Sequence, residues 1–113
     1  DKGIDTGDII AQKEFPLQGD ISDIFQLITA IGINLSVNMI ENFSTLKLIP
    51  QDDSKATYFK RRTPSQSEIT IEEIRGSTAE NLYNKIRALQ DPYPNAFIKC
   101  KDGTKLYLIK SHL

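Results

Sequence analysis

The stretch from Asp20 to Phe43 places the tightest limit on the fold. Ile24, Leu27, Ile28, Ile31, Leu35 and Met39 recur at helical spacing, Asp20 stands where an N-cap is needed, and Asp23 falls in the first turn. The spacing predicts a long amphipathic helix whose apolar stripe packs on a sheet. A chain built this way must supply strands, and candidates are few. Ile9, Ile10, Phe15 and Leu17 predict a strand of roughly eight residues before the helix, closed by Pro16 and the turn-prone Gln18-Gly19-Asp20. Ile69 and Ile71 alternate with Thr70 and Glu72 in a short second strand. The clearest pairing signal comes last: Ala96, Ile98 and Cys100 alternate with Phe97 and Lys99, Asp102-Gly103 supplies a turn, and Leu106 to Ile109 return as a hairpin.

Between helix and hairpin, residues 44–68 lose all periodicity and collect Pro50, Asp52, Asp53, Ser54 and the basic run Lys60-Arg61-Arg62 before Thr63-Pro64. This composition predicts a connector between two bodies. Ser77-Thr78-Ala79-Glu80 fits a capping box opening a second helix, with Leu82, Tyr83, Ile86 and Leu89 on one side and Asp91-Pro92-Tyr93-Pro94 as its stop. One strand and a long helix, a connector, then a helix and a hairpin make an odd complete domain, because parallel-sheet folds need several strands with crossovers. The layout predicts the C-terminal part of something longer.

Composition narrows the class. A chain of 113 residues with 39% hydrophobic and 26% charged residues matches one soluble globular domain. Asp23, Gln26, Asn34, Ser36, Asn38 and Glu41 interrupt the apolar helix and argue against a membrane span, and the acidic N-terminus shows no secretory pattern. A lone Cys100 builds no disulfide framework, which fits a cytoplasmic location, and one histidine (His112) with one cysteine leaves no His/Cys zinc site. Charge is uneven. Residues 1–54 carry three Lys/Arg against nine Asp/Glu, net −6, whereas residues 55–113 carry eleven against six, net +5. The second half is the candidate anion-facing half.

The chemistry-bearing motif is Asp5-Thr6-Gly7-Asp8, directly before the apolar run at Ile9. Taken alone, Asp5 is either the polar residue of an Asx-turn or a catalytic carboxylate. Aspartic proteases pair two Asp-Thr-Gly loops around one shared proton. Here the charge at Asp8, the short Asp1-Lys2-Gly3-Ile4 lead and the two helices fit that all-β chemistry poorly. Neither a Gly-x-Ser-x-Gly elbow nor a phosphate-cradling glycine loop is present.

Read together, three segments resemble the folate-dependent formyltransferases. Gly3-Ile4-Asp5-Thr6-Gly7-Asp8-Ile9-Ile10-Ala11-Gln12 resembles the end of their catalytic domain. Gln51 through Tyr58-Phe59-Lys60-Arg61-Arg62-Thr63-Pro64 is similar to their connector, in the form carried by enzymes that formylate amino sugars on nucleotides. Leu82 to Leu89 with Asp91-Pro92-Tyr93-Pro94-Asn95-Ala96-Phe97 is similar to the start of their C-terminal region. The resemblance implies an α/β fragment: the last strand and long helix of a Rossmann-like catalytic domain (1–48), a connector (49–76), and a helix plus β-hairpin (77–113) resembling a truncated OB-like domain.

The resemblance also implies formyl transfer from 10-formyltetrahydrofolate, as co-substrate, to the amine of a nucleotide-linked amino sugar. Asp5 becomes the proton-handling aspartate, Gly7 the point of close folate approach, and Asp8 a loop anchor beside the folate. Arg61 and Arg62 would pair with the diphosphate, while Tyr58, Phe59 or Tyr93 would stack on the base. The family's Asn-x-His motif has no counterpart in these 113 residues, so the isolated chain is expected to be inactive. Two alternatives stand beside this reading. One is a methionyl-tRNA formyltransferase, with tRNA as partner; the other is a non-catalytic binding or assembly module, in which the exposed hairpin edge supports a homodimer.

Overall fold

The computed structural model describes residue 3 and residues 5–113. It contains α1 (Ile21–Glu41), α2 (Ile71–Gly76), α3 (Ala79–Ala88), β1 (Ala96–Lys99) and β2 (Lys105–Leu108). Short 3-10 turns lie at Phe43–Thr45, Asp53–Lys55 and Pro64–Ser67. Two compact units divide the chain. The first comprises the described residues up to Pro16 with Gln26–Lys60, and the second Leu17–Phe25 with Arg61–Leu113.

In the second unit, α1 begins where its sequence requires. The Asp23 carboxylate reaches back to accept from the Asp20 amide at 2.9 Å, supplying a partner for a donor at the helix start. Gly19, at φ +80°, makes room for that carboxylate: a Cβ there would lie 2.5 Å from Asp23 Oδ2. The core forms around Ile69, Ile86, Leu89 and Ala96, with Leu82, Ile98 and Leu108 packed against it. The strands pair antiparallel, Ala96 opposite Leu108 and Lys99 opposite Lys105. Their turn is closed by Asp102, whose carboxylate accepts from the Thr104 hydroxyl at 2.7 Å and amide at 3.0 Å, with Gly103 at φ +84°. Those bonds, the hydroxyl's first, hold the Asp102 carboxyl below its usual range.

The segment before α2 lies parallel to β1 through one bridge, Glu68 to Phe97, with the Ile69 amide donating to the Phe97 carbonyl at 2.7 Å. The short strand expected at residues 69–71 is limited to this bridge. Thr70 instead caps α2, its hydroxyl accepting from the Glu73 amide at 3.1 Å, because four alternating residues are too few to outweigh a good N-cap. The cap of α3 moves by one residue: Thr78 accepts from the Asn81 amide at 3.2 Å, while Ser77 ends α2.

In the first unit the strand expected over residues 9–17 reduces to a single antiparallel bridge, Ile9 to Ile49, with hydrogen bonds of 2.8 and 3.0 Å. A strand is defined by its partner, and the connector offers Ile9 only that one residue. The expected packing of α1 on a sheet is likewise not met: of its 21 residues only Ile24 is buried. On the stripe Ile28 is 43% exposed and Leu27, Ile31, Leu35 and Met39 are half-buried, while Ile33, Val37 and Ile40, exposed at 59%, 48% and 76%, lie on the opposite face. By length and composition α1 is also apolar enough to cross a membrane, with a mean hydropathy of 1.4, so its scattered polar residues do not exclude a span. The core helix of a larger soluble protein meets the same criterion.

Candidate functional site

The Asp5 motif lies in the first unit. Asp5 takes φ +58°, a left-handed conformation that costs a residue with a Cβ about 1 kcal/mol or more. Its side chain and that of Asp8 are exposed, and Gly7 is half-buried. The strained turn is braced from the connector. The Gln51 side-chain amide donates to the Asp5 carbonyl at 2.8 Å and to the Gly7 carbonyl at 2.7 Å, two residues beyond the Ile9–Ile49 bridge. Beside it, hydrogen bonds from the Ser54 hydroxyl, then Lys55 and the Ser54 amide, lower the Asp52 carboxyl's pKa.

The second unit holds a cleft of about 900 Å³ whose lining includes Arg61, Arg62, Ser67, Lys85 and Tyr93. Its charges are not equivalent. Lys85 Nζ sits 2.7 and 2.8 Å from the Glu73 carboxylate oxygens and donates to the Glu68 carbonyl at 2.7 Å, so its charge is spent inside the protein. Arg62 donates to the Gln66 carbonyl at 2.7 Å, and neither arginine has a carboxylate partner among the described residues. Their charge stays available to an anion at the rim. Tyr93 is 47% exposed, with its ring centroid 6.1 Å from that of Phe25.

A smaller hollow of about 480 Å³ shares Pro64, Pro92, Tyr93 and Pro94 with this cleft and adds Lys105 and Tyr107. There the Lys105 ammonium lies 4.3 Å from the centre of the Phe97 ring.

Of the residues singled out from the sequence, Arg61, Arg62 and Tyr93 come together in one cleft. Tyr58 and Phe59 belong to the first unit, where each is 92% exposed and makes no ring or cation contact among the described residues. Asp5, Gly7 and Asp8 form a separate turn. Sequence reasoning missed Gln51, Lys85, Lys105 and Tyr107. Nothing local marks Gln51, whose role depends on a contact 46 residues away in the chain. Among the described residues no three His, Cys, Asp or Glu side chains gather as a metal site would need.

Comparison with known proteins shows what the chain is similar to. Residues 73–113 match the formyl transferase C-terminal domain. The chain is 31% identical over 111 residues to a methionyl-tRNA formyltransferase from Sulfurimonas denitrificans, covering 96% of the chain and 34% of that protein. It is 34% identical over 99 residues to one from Orientia tsutsugamushi, covering 86% and 31%. The solved methionyl-tRNA formyltransferase from Clostridium thermocellum superposes with a TM-score of 0.71 at 32% identity, over 95% of this chain and half of that one. The chain spans about a third of the length of these curated relatives.

These relatives do not support the amino-sugar branch expected from the connector. An arginine pair and a Tyr between two prolines suit any phosphate-bearing acceptor, so they could not have chosen between the branches. Residues 73–113 are thus similar to the formyl transferase C-terminal domain, and nearly the whole chain is similar to part of methionyl-tRNA formyltransferases.

Proposed function

We propose that the chain forms part of an enzyme transferring the formyl group of 10-formyltetrahydrofolate to the amine of methionyl-tRNA. The observation that carries this reading is the identity of 31% with a methionyl-tRNA formyltransferase along 96% of the chain. The cleft adds physical support, because Arg61 and Arg62, with no carboxylate partner among the described residues, present guanidinium groups that can meet a polyanion's phosphates. The helix and hairpin of residues 77–113 then belong to a truncated OB-like body on the acceptor side.

In the reaction, the acceptor nitrogen bonds to the formyl carbon and a tetrahedral oxyanion forms. The attacking nitrogen loses a proton, the carbon–folate-nitrogen bond breaks, and the folate nitrogen takes up a proton. Asp5 is the residue of this chain assigned to the proton, and Gly7 and Asp8 border the folate. The oxyanion's partners in the family, an Asn and a His in an Asn-x-His motif, are not among these 113 residues.

The test is formyl transfer by the intact protein, with methionyl-tRNA and a nucleotide-linked amino sugar offered separately. Transfer to the tRNA alone is expected, and Asp5→Asn should lower kcat by about 100-fold or more. Transfer to the sugar nucleotide alone would return the acceptor to the other branch.

A further inference from the structure

We infer that Gln51 is a positioning residue for formyl transfer, acting on Asp5 through the backbone rather than on substrate. The inference rests on the reading of Asp5 as the proton-handling aspartate. Its geometric basis is independent of that reading. One side-chain amide uses both of its N–H bonds on the same turn, 2.8 Å to the Asp5 carbonyl and 2.7 Å to the Gly7 carbonyl. Both partners are carbonyl oxygens, so only the nitrogen end of the amide can face them.

The turn needs such a brace. Asp5 sits at φ +58°, a left-handed conformation that aspartate tolerates better than most residues but that still has a cost a brace can offset. Among the described residues the turn supplies one further side-chain hydrogen bond locally, Thr6 Oγ1 to the Gly3 carbonyl at 3.3 Å, which is long for a hydroxyl donor. Downstream, Ile9 and Ile49 exchange two backbone hydrogen bonds and fix the connector beside the turn. Gln51 therefore ties the turn at both ends of its Asp-Thr-Gly segment from a fixed point.

Glutamine is chemically specific for this task. Asparagine is one methylene shorter. Lysine or arginine would bring a positive charge beside Asp5 and Asp8 and perturb the carboxylate that must exchange a proton. A neutral amide directs Asp5 without changing its charge environment. Displacing a reacting group by about 1 Å can cost on the order of 100-fold in rate, so loss of the brace should appear in turnover before it appears in binding.

The experiment replaces Gln51 by Met in the intact protein, removing both donors at nearly constant size and charge. Expected are a fall in kcat of about 10- to 100-fold, KM for both substrates within about threefold, and an unchanged thermal midpoint. On an Asp5→Asn background the same replacement should cost less than about twofold more, because its effect runs through Asp5. Unchanged kcat in Gln51→Met, with Asp5→Asn crippled, overturns the inference and leaves the Asp5 assignment standing. An equal loss on both backgrounds, or a loss tracking a lowered thermal midpoint, also overturns it and makes Gln51 merely structural. If Asp5→Asn retains wild-type turnover, the Asp5 assignment itself falls and takes the inference with it.

Discussion

The two units use the same kind of sequence signal and reach opposite outcomes. The second unit's apolar positions on α3 and the hairpin close on one another, leaving Ile69 at 2%, Ala96 at 0% and Phe97 at 4% exposure. In the first unit, none of the described residues is buried, although α1 carries the longest apolar stripe in the chain. Periodicity announces which face of an element needs cover and says nothing about what covers it. In the second unit the covering surfaces, α3, the hairpin and the segment at residues 67–69, all lie within a few dozen residues of one another. In the first unit α1 meets no comparable surface of its own.

The largest expected effect tests the closed core. Ile86 is 8% exposed and belongs to the central cluster, so Ile86→Ala should destabilise the second unit by about 2–5 kcal/mol, read by denaturant unfolding. A loss below about 1 kcal/mol would mean that this core is no better formed than the first unit. The next effect is smaller and concerns how the core's pieces are tied. Lys85 joins α3 to Glu73 on α2 and to the Glu68 carbonyl beside β1, with side chains 18% and 31% exposed. Lys85→Met keeps the apolar stem but leaves a half-buried carboxylate and a carbonyl without their donor, an expected cost of about 1–3 kcal/mol. If Glu73→Gln costs as much as Lys85→Met, the ion pair rather than the carbonyl contact holds the three segments together.

How much of this was legible beforehand follows the same division. α1, α3 and the hairpin were readable because helical spacing, capping residues and an Asp-Gly turn act within a few positions of one another. The strand at residues 9–17 was not, since alternation measures a tendency to extend and the chain gives Ile9 only Ile49 as a partner. Site residues divide likewise. Asp5, Arg61, Arg62 and Tyr93 were singled out through short segments of sequence, whereas Gln51 and Lys85 make contacts 46 and 12 residues away in the chain. Tyr58 was chosen for its ring type beside basic residues, a signal that carries no information on whether the ring meets anything.

The smallest expected effect is the one that most directly tests the contrast between the units. Ile28 lies on the apolar stripe of α1 at 43% exposure, in the first unit. In the 113-residue chain Ile28→Ser removes apolar surface that is already partly in water, and the substitution should change stability by less than about 1 kcal/mol. The same change in the intact protein asks a different question. There, a cost of about 2–4 kcal/mol would show that the stripe is covered by residues outside these 113, because burying a polar hydroxyl in place of a methyl and an ethyl group is penalised most where water is excluded. An equally small effect in both settings would leave α1 a solvent-facing helix and make its apolar positions a surface feature. The comparison between the two measurements, rather than either alone, separates a stripe awaiting cover from one that has none.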